Sequence, residues 1–275
     1  MIARVFPRRT KATPTDEHAY CGPPDLFAST KGYEEVHVST FTWDLPTAEE
    51  LMRQWQRIAP VRIGGPATGE RSQAFEAGKY LKPGYVITSR GCPNRCWFCS
   101  VWRREGSAVR ELPIVDGWMV QDDNLLACSE GHIRGVFEML KRQKNRAEFT
   151  GGLEASRLKR WHVELLQGIK PKQMFFAYDT PNDLEPLIDA RNLLTEAGWR
   201  IHDHRTRCYV LIGHPKDTFE KAERRLIQTF QIGYFPMAML YRRKDGTVDG
   251  TWRKFQKLWA RPAIINQRMR EAEHG

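Results

Sequence analysis

Short apolar runs alternate with amphipathic stretches along the middle of the chain. Most of these runs are continuously apolar, which is typical of parallel strands covered on both faces. The stretches between them carry apolar residues at helical spacing, and one such stripe follows a candidate helix cap at Ser129. The pattern predicts six strands: Gly84–Ser89, Gly117–Gln121, Ala147–Thr150, Gln173–Tyr178, Arg207–Ile212 and Tyr234–Tyr241.

Strand and helix units that repeat every 25 to 35 residues or so place the protein in the α/β class. Six such units in series favour a partial (β/α)6 TIM-like barrel, because right-handed crossovers place the helices outside the strands. An open doubly wound sheet is the structural alternative. In a barrel, the chemistry takes place at the carboxyl ends of the strands.

The two ends of the chain differ from this central pattern. Glu34–Trp43 is predicted to be a strand, Thr47–Ile58 a helix and Val61–Gly65 a second strand, which together form a small βαβ extension. The last segment is predicted to be a basic helical tail whose apolar stripe includes Trp252 and Trp259. We therefore expect three parts: the extension over residues 1–80, the barrel over 81–242 and the tail over 243–275.

Composition and charge narrow the class of protein. The 275 residues include 43 Lys and Arg against 33 Asp and Glu, a formal charge of +10, and 41% are apolar, as in an ordinary globular protein. No stretch approaches the roughly 18 apolar residues of a membrane helix, and no apolar segment of a secretory signal follows Met1. We therefore expect a cytoplasmic protein without membrane contact.

Three of the six cysteines, Cys92, Cys96 and Cys99, lie within eight residues in a loop directly after the first barrel strand. In a reducing compartment, such a cluster favours a metal or catalytic role over a disulfide. A short loop can turn three thiolates toward one iron–sulfur cluster and leave one iron open. A zinc site completed by a distant cysteine or a histidine is the alternative.

The Cys-x3-Cys-x2-Cys spacing, with aromatic Phe98 before the last cysteine, resembles the signature of the radical S-adenosylmethionine (radical SAM) superfamily. The resemblance covers about residues 80–242. It implies that the three cysteines bind a [4Fe–4S] cluster and that the amino and carboxylate groups of SAM chelate the open iron. It also implies reductive cleavage of SAM to a 5′-deoxyadenosyl radical that abstracts hydrogen from a substrate. A barrel mouth suits this chemistry because a primary carbon radical must be kept from solvent.

The resemblance further implies SAM-binding residues at the ends of the later strands. The amino group of SAM is expected at residues 121–124, because an ammonium needs hydrogen-bond acceptors and this segment is rich in them. Paired glycines allow a backbone to approach a ligand closely, and Glu154 is expected to accept from the ribose hydroxyls or from the amino group. Arg157 is expected to meet the SAM carboxylate, Tyr178 and Asp179 to face the mouth, and His214 to line the adenine. The full predicted set is Phe98, Gln121, Asp122, Asp123, Asn124, Gly151, Gly152, Glu154, Arg157, Tyr178, Asp179 and His214.

Most of these positions also have a purely structural interpretation. Residues 121–124 fit a polar strand end before a helix cap, and residues 151–154 fit a strand-to-helix turn with Glu at the helix start. Arg157 fits an exposed helical arginine and His214 a turn residue. Asp179 and Asp183 are both candidates for capping the next helix.

Many radical SAM enzymes carry a cobalamin domain before the barrel, with a lower ligand from Asp-x-His-x-x-Gly. Here the segment Asp16–Gly22 has cysteine in the glycine position, and the glycine follows one residue late. Only sixteen residues separate Gly22 from Ser39, too few for a full Rossmann-like unit. We therefore do not expect cobalamin.

Three functional hypotheses remain open. The first is a radical SAM enzyme acting on a nucleic acid or nucleotide, since the basic tail with Trp252 and Trp259 suits phosphates and bases. The second is a radical SAM enzyme acting on a peptide or small metabolite. The third is a zinc-stabilised nucleic-acid-binding protein without catalytic activity. Either enzyme needs an electron donor such as a flavodoxin or ferredoxin. The competing interpretation of the tail is a helix whose tryptophans pack on the barrel.

Overall fold

The N-terminal part of the chain forms a four-stranded parallel sheet. A computed structural model describes residues 1–72, 74–200, 204–243, 245–260 and 262–274. The strand order in this sheet is β2-β1-β3-β4, so the chain passes from one side of β1 to the other. Its elements are β1 (Ile2–Phe6), β2 (Ala19–Cys21), β3 (Glu35–Ser39), helix α1 (Leu45–Trp55) and β4 (Val61–Gly64).

The predicted βαβ extension is therefore present as β3, α1 and β4, with two further strands that the pattern does not predict. β3 ends at Ser39 and does not reach Trp43 as predicted, because residues 42–44 form a 3-10 turn that leads into α1. The indole of Trp55 is fully buried beneath the sheet and donates to the Gly22 carbonyl oxygen over 3.1 Å. Together α1 and the sheet enclose a separate hydrophobic core.

A second sheet contains six parallel strands in sequence order, with β5 and β12 as its outer strands in the described part of the chain. All six predicted strands are confirmed, although several are short. The strands are β5 (Tyr85–Val86), β8 (Met119–Val120), β9 (Glu148–Phe149), β10 (Gln173–Ala177), β11 (Thr206–Ile212) and β12 (Phe235–Leu240). An antiparallel pair, β6 (Ser89–Arg90) and β7 (Arg110–Glu111), branches off after β5.

Helices separate the later strands of this sheet. The chain order adds α2 (Val101–Arg104) before β7, and then α3 (Glu130–Lys141), α4 (Arg160–Ile169), α5 (Leu184–Glu196) and α6 (Phe219–Ile232). The Ser129 hydroxyl accepts from the His132 N–H over 3.2 Å, as the candidate cap predicts. The fold is therefore α/β with two parallel sheets.

The two faces of the six-stranded sheet differ. Met174 and Phe176 are fully buried against the helices. On the opposite face, Met237 and Met239 of β12, the outer strand that pairs with β11, are 41% and 38% exposed. Successive side chains of a strand point to opposite faces, so the helices cover one face of the sheet and leave an apolar surface on the other.

The C-terminal tail is helical, as predicted, and consists of α7 (Gly250–Leu258) and α8 (Pro262–His274). Trp259 is 1% exposed and belongs to the main core. Trp252 lies so close to Gly213 that a Cβ there would be 2.8 Å from its ring. Both tryptophans pack on the fold. Burial excludes base stacking by Trp259, whereas base stacking by the half-buried Trp252 stays a prediction. Lys244 and Arg261, two cations of the predicted tail, lie outside the described residues.

The helices in the described ranges include none that is both long and apolar enough to cross a membrane.

Candidate functional site

The three clustered cysteines lie on a loop, residues 91–106, whose two ends are joined. The Cys92 N–H donates to the Gly106 carbonyl oxygen over 3.2 Å. Gly91 has φ +90°, and a Cβ there would lie 2.4 Å from the Ala108 carbonyl oxygen. Only glycine adopts this conformation without strain, so the residue before Cys92 is required for closing the loop. We call residues 91–106 the cysteine loop.

Side chains within the cysteine loop hold the backbone next to the thiols. The Trp102 indole N–H donates to the Cys96 carbonyl oxygen over 3.0 Å. The Arg103 guanidinium donates to the Cys99 carbonyl oxygen over 3.0 Å and to the Trp97 carbonyl oxygen over 3.3 Å. These hydrogen bonds fix the backbone of the loop, and a fixed backbone lowers the entropic cost of binding a ligand.

The thiols of the motif influence one another electrostatically. Burial, together with the nearby Cys99 and Cys92, raises the pKa of Cys96 to about 11. Burial also raises the pKa of Cys99. Three thiolates sharing one partly buried site repel each other, and a bound cationic metal centre removes that penalty.

In the described ranges, no three His, Cys, Asp or Glu side chains lie close enough to share one metal ion. The thiolates of a [4Fe–4S] cluster each bind a different iron, so its ligands lie farther apart than those of a single ion. Three partly buried, mutually repelling thiols on one closed loop are a donor set that fits such a cluster.

The carboxylate of Asp122, after β8, holds the chain between β5 and the cysteine loop. It accepts from the Thr88 N–H and hydroxyl, each over 2.6 Å, and from the Ser89 hydroxyl over 2.8 Å. The residue is 2% exposed. Burial raises the pKa of Asp122, and these hydrogen bonds oppose the increase. Its acceptors are occupied by protein, so its position favours the structural role over direct SAM binding.

The next carboxylate, Asp123, also holds the cysteine loop. It accepts from the Gly91 N–H over 2.9 Å and forms an ion pair with Arg90 at 3.4 Å. Gln121 donates its backbone N–H to the Val86 carbonyl oxygen over 2.9 Å. This segment therefore joins the first two strands of the sheet and fixes where the loop begins.

Asn124 lies between the cysteine loop and the end of β9. Its amide nitrogen lies 3.5 Å from Cys92 Sγ and donates to Glu154 Oε2 over 2.6 Å. The residue is 5% exposed, and its Oδ1 is buried without a hydrogen-bond partner among the described residues. A buried, unpaired carbonyl oxygen carries a desolvation cost that a donor from a ligand would remove.

The Glu154 carboxylate is the main hydrogen-bonded centre of the site. It accepts from the Ser156 hydroxyl over 2.7 Å and from the Arg157 guanidinium over 2.7 Å. Burial raises its pKa, but hydrogen bonds from Asn124, Ser156 and Asn94 of the cysteine loop outweigh burial and lower it overall. Glu154 is therefore a carboxylate held in its charged form next to the loop, with Arg157 bound to it.

The paired glycines between β9 and Glu154 have separate roles. A Cβ on Gly151 would lie 2.2 Å from the Asp122 carbonyl oxygen, so Gly151 allows two strand ends to pack closely. Gly152 has φ +95° and makes the turn. In this structure the close approach is between backbone and backbone, whereas the sequence suggested an approach to a ligand.

Tyr178 and Asp179 follow β10, and their side chains contact different elements: Tyr178 contacts α6 and Asp179 contacts β11. Tyr178 is 4% exposed in the main core, and its hydroxyl donates to Gln228 on α6 over 3.0 Å. The position predicted for it at the mouth is therefore wrong. Asp179 accepts from the Leu211 N–H over 3.0 Å and raises the pKa of both Cys96 and Cys99.

Asp183 forms a capping box with Thr180 at the 3-10 turn 181–183 that leads into α5, but its side chain does not cap α5 itself. Its carboxylate accepts from the Asp179 N–H over 3.0 Å, and from the Thr180 N–H over 2.7 Å and the Thr180 hydroxyl over 3.0 Å. Burial and this neighbouring carboxylate raise the pKa of Asp179 to about 7. The end of β10 thus adds to the negative potential at the thiols.

An aromatic cluster joins the cysteine loop to the far side of the sheet. Trp97 lies 5.3 Å from the ring of His214, after β11, and 5.9 Å from Tyr241, after β12. Phe98 packs edge-to-face on Trp97 at 5.4 Å. Burial lowers the pKa of His214. The loop that follows the first strand of the six-stranded sheet therefore contacts the ends of its last two strands.

The site thus brings the cysteine loop together with Asn124, Glu154, Asp179 and His214. Sequence reasoning did not identify Asn94 and Trp97, which connect the loop to the strand ends. Both lie inside the cysteine motif, at positions where the signature specifies no residue type. Their place within the motif is the one feature of the sequence that pointed to them.

No protein-family model matches the sequence, and no curated protein matches it. The interpretation of the site therefore depends on its own residues and geometry.

Proposed function

We propose that this protein is a radical SAM enzyme. The observation that carries the proposal is the position of Cys92, Cys96 and Cys99. They lie on a closed loop directly after the first strand of a parallel sheet whose six strands follow sequence order. Carboxyl ends of parallel strands are the usual place for catalysis in such folds.

The proposal includes a six-stranded sheet that curves into a partly closed (β/α)6 arrangement. In sequence order, right-handed crossovers place all the helices on one face. The other face exposes Met237 and Met239, which suits the lining of an interior better than an outer surface. The contact between Trp97 and Tyr241 is readily explained if β5 and β12 curve toward each other.

The chain's own residues have distinct roles in this proposal. The three thiolates hold the cluster, and Asp122 and Asp123 fix the segment that carries them. The unpaired Oδ1 of Asn124 is the acceptor available for the amino group of SAM, and the charged Glu154 beside it adds negative charge. When bound, the cluster supplies the electron that splits SAM reductively and starts radical chemistry on a substrate.

Two further expectations belong to the proposal. A reduced electron carrier such as a flavodoxin or ferredoxin supplies the electron. A reducing compartment such as the cytoplasm keeps the three thiols available for iron.

Anaerobic reconstitution with iron and sulfide, followed by reduction with SAM present, tests the proposal. We expect a brown protein that forms 5′-deoxyadenosine, and Cys96→Ala should abolish this product. Cys21→Ala, in the N-terminal sheet, is the matched control and should retain it. A colourless protein with one zinc ion and no 5′-deoxyadenosine would instead favour the zinc-stabilised alternative.

A further inference from the structure

The carboxyl edge of the N-terminal sheet has an opening of its own. The chain leaves β1 for β2 on one side and returns to β3 on the other. In open parallel sheets, ligands bind in the crevice outside the carboxyl ends of the strands where the order reverses. Arg8 lies two residues after β1, and Phe41 lies two residues after β3. Both therefore border this crevice.

Two aromatic rings are stacked and exposed at the crevice. Phe41 and Trp43 have ring centroids 4.8 Å apart and an angle of 1° between their planes. They are 45% and 37% exposed, and neither belongs to a hydrophobic core in the described ranges. Exposed parallel rings offer a face on which a planar ligand can stack.

Arginines surround these rings. The guanidinium carbon of Arg242 lies 4.3 Å from the centre of the Trp43 ring, and that of Arg8 lies 5.9 Å from it. Arg8 forms an ion pair with Asp44 at 3.3 Å. Burial lowers the pKa of Arg242, the charges of Arg8 and Arg253 lower it further, and Asp44 opposes them. Three cations thus face one carboxylate, an excess that favours an anionic ligand.

The surface formed by Arg8, Phe41, Trp43, Arg242 and Arg253, here called the arginine–aromatic surface, adjoins the candidate site. Arg242 directly follows Tyr241, which contacts Trp97 of the cysteine loop. A Cβ on Gly246 would lie 2.7 Å from the backbone of Trp43, so the segment after β12 packs against the end of β3. The two sites therefore share a border.

We propose that the arginine–aromatic surface binds single-stranded nucleic acid. A base stacks on Phe41, and phosphates pair with Arg8, Arg242 and Arg253. Unpaired bases are needed because a duplex hides their faces within its own stack. Binding at this surface does not depend on the proposed function. In an additional step, the bound strand delivers a nucleotide to the cysteine loop as substrate. This step rests on the proposed function.

Fluorescence anisotropy with the full chain and labelled single-stranded RNA and DNA of about 15 nucleotides tests the proposal. Phe41→Ala should weaken binding roughly tenfold through lost stacking. Its control is Phe27→Ala, since Phe27 is 69% exposed and carries no role in the proposal. The strand that binds more tightly, RNA or DNA, identifies which nucleic acid the surface prefers.

The charge contribution is tested by R8Q/R242Q/R253Q. Comparing about 50 mM with about 200 mM salt, the slope of log K against log salt should fall by about 2 in magnitude, from three lost phosphate contacts. The control R57Q/R142Q/R200Q removes the same charge from exposed arginines after α1, α3 and α5, at the opposite edges of the sheets.

The proposal would be overturned if the surface variants and their controls changed single-strand binding equally. It would also be overturned if duplex bound as tightly as the single strand. Cys96→Ala separates the two proposals, because it should abolish 5′-deoxyadenosine formation and leave nucleic-acid binding unchanged. If SAM cleavage is absent and strand binding persists, only the proposed function fails.

Discussion

The two parallel sheets of this protein present their carboxyl edges differently. In the six-stranded sheet, the edge holds the buried Asp122 and Asn124 and the half-buried Glu154, and Asn124 contacts both Glu154 and the Cys92 thiol. In the four-stranded sheet, the edge exposes Phe41 and Trp43. The first edge is built like a site for a small, tightly held cofactor, and the second like a contact surface for a large ligand.

Strand order explains much of this difference. A sheet in sequence order keeps its helices on one face and can curve around the other, which gathers the strand ends into one mouth. A sheet whose order reverses beside β1 instead opens a crevice at its edge. The comparison therefore predicts that substitutions at the carboxyl edge of the six-stranded sheet lower stability, because packing there is tight. Substitutions at the carboxyl edge of the four-stranded sheet should be tolerated.

The largest expected effect is at Gly151. A Cβ there would lie 2.2 Å from a backbone oxygen of Asp122, whereas a Cβ on Gly64, at the end of β4, meets nothing within 4 Å. Backbone cannot yield as a flexible side chain can, so Gly151→Ala should lower the free energy of unfolding by about 3 kcal/mol. Gly64→Ala should change it by less than about 0.5 kcal/mol. Urea unfolding measures both, and equal costs would contradict the comparison.

A pH dependence should come from Asp179, whose pKa is raised to about 7 by burial and by Asp183. An unfolded Asp loses its proton near pH 4, so between about pH 4 and 7 the folded state binds more protons than the unfolded state. Stability is therefore lost as the pH rises, by about 2 to 4 kcal/mol for this group.

Asp179→Asn keeps an acceptor for the Leu211 N–H and should remove this loss. The difference in unfolding free energy between variant and wild type should then grow from about pH 5 to about pH 7.5. Asp189→Asn, at an exposed position on α5, is the control. If the difference in unfolding free energy between variant and wild type stays constant with pH, Asp179 is already ionised at both pH values and the prediction is wrong.

A smaller effect concerns Asn124 and the binding of SAM. If its unpaired Oδ1 accepts from the ligand, Asn124→Ala should weaken SAM binding to the reconstituted protein about tenfold, the worth of one buried hydrogen bond. Asn192→Ala, at an exposed position on α5, should leave it unchanged. Calorimetry measures both, and unchanged affinity in N124A would remove Asn124 from the proposed ligand set.

The smallest effect is expected at Trp97. Trp97→Ala removes contacts to His214 and Tyr241 worth about 1 kcal/mol, and cleavage of the cysteine loop by trypsin should speed up about fivefold. Trp97→Phe should cleave nearly as slowly as wild type. If the alanine variant is cleaved at the wild-type rate, the aromatic cluster does not hold the loop.

Sequence patterns predicted the six-stranded sheet because its buried strands are continuous apolar runs. They missed β1 and β2, since Arg4 interrupts the first run and the second has three residues. Arg4 is tolerated there because it pairs with Asp16 and donates to the Lys79 carbonyl oxygen.

The candidate site was only partly predictable for a related reason. The cysteine spacing is local and visible in the sequence, whereas the partners of Asp122 and Asn124 lie about 30 residues away along the chain. A sequence shows that a polar residue ends a strand. It does not show whether other groups of the protein already occupy the hydrogen-bond acceptors of that side chain. Likewise, nothing local distinguishes the buried Trp259 from the exposed Trp43.

The most direct test of the central claim is the electron paramagnetic resonance spectrum of the reconstituted, reduced protein with and without SAM. If three cysteines hold a [4Fe–4S] cluster with one open iron, the signal of the reduced cluster appears and changes when SAM is added. Cys92→Ala, Cys96→Ala or Cys99→Ala should each abolish it, and Cys21→Ala should not. A signal that SAM leaves unchanged, or a zinc-loaded protein without a signal, would contradict the account.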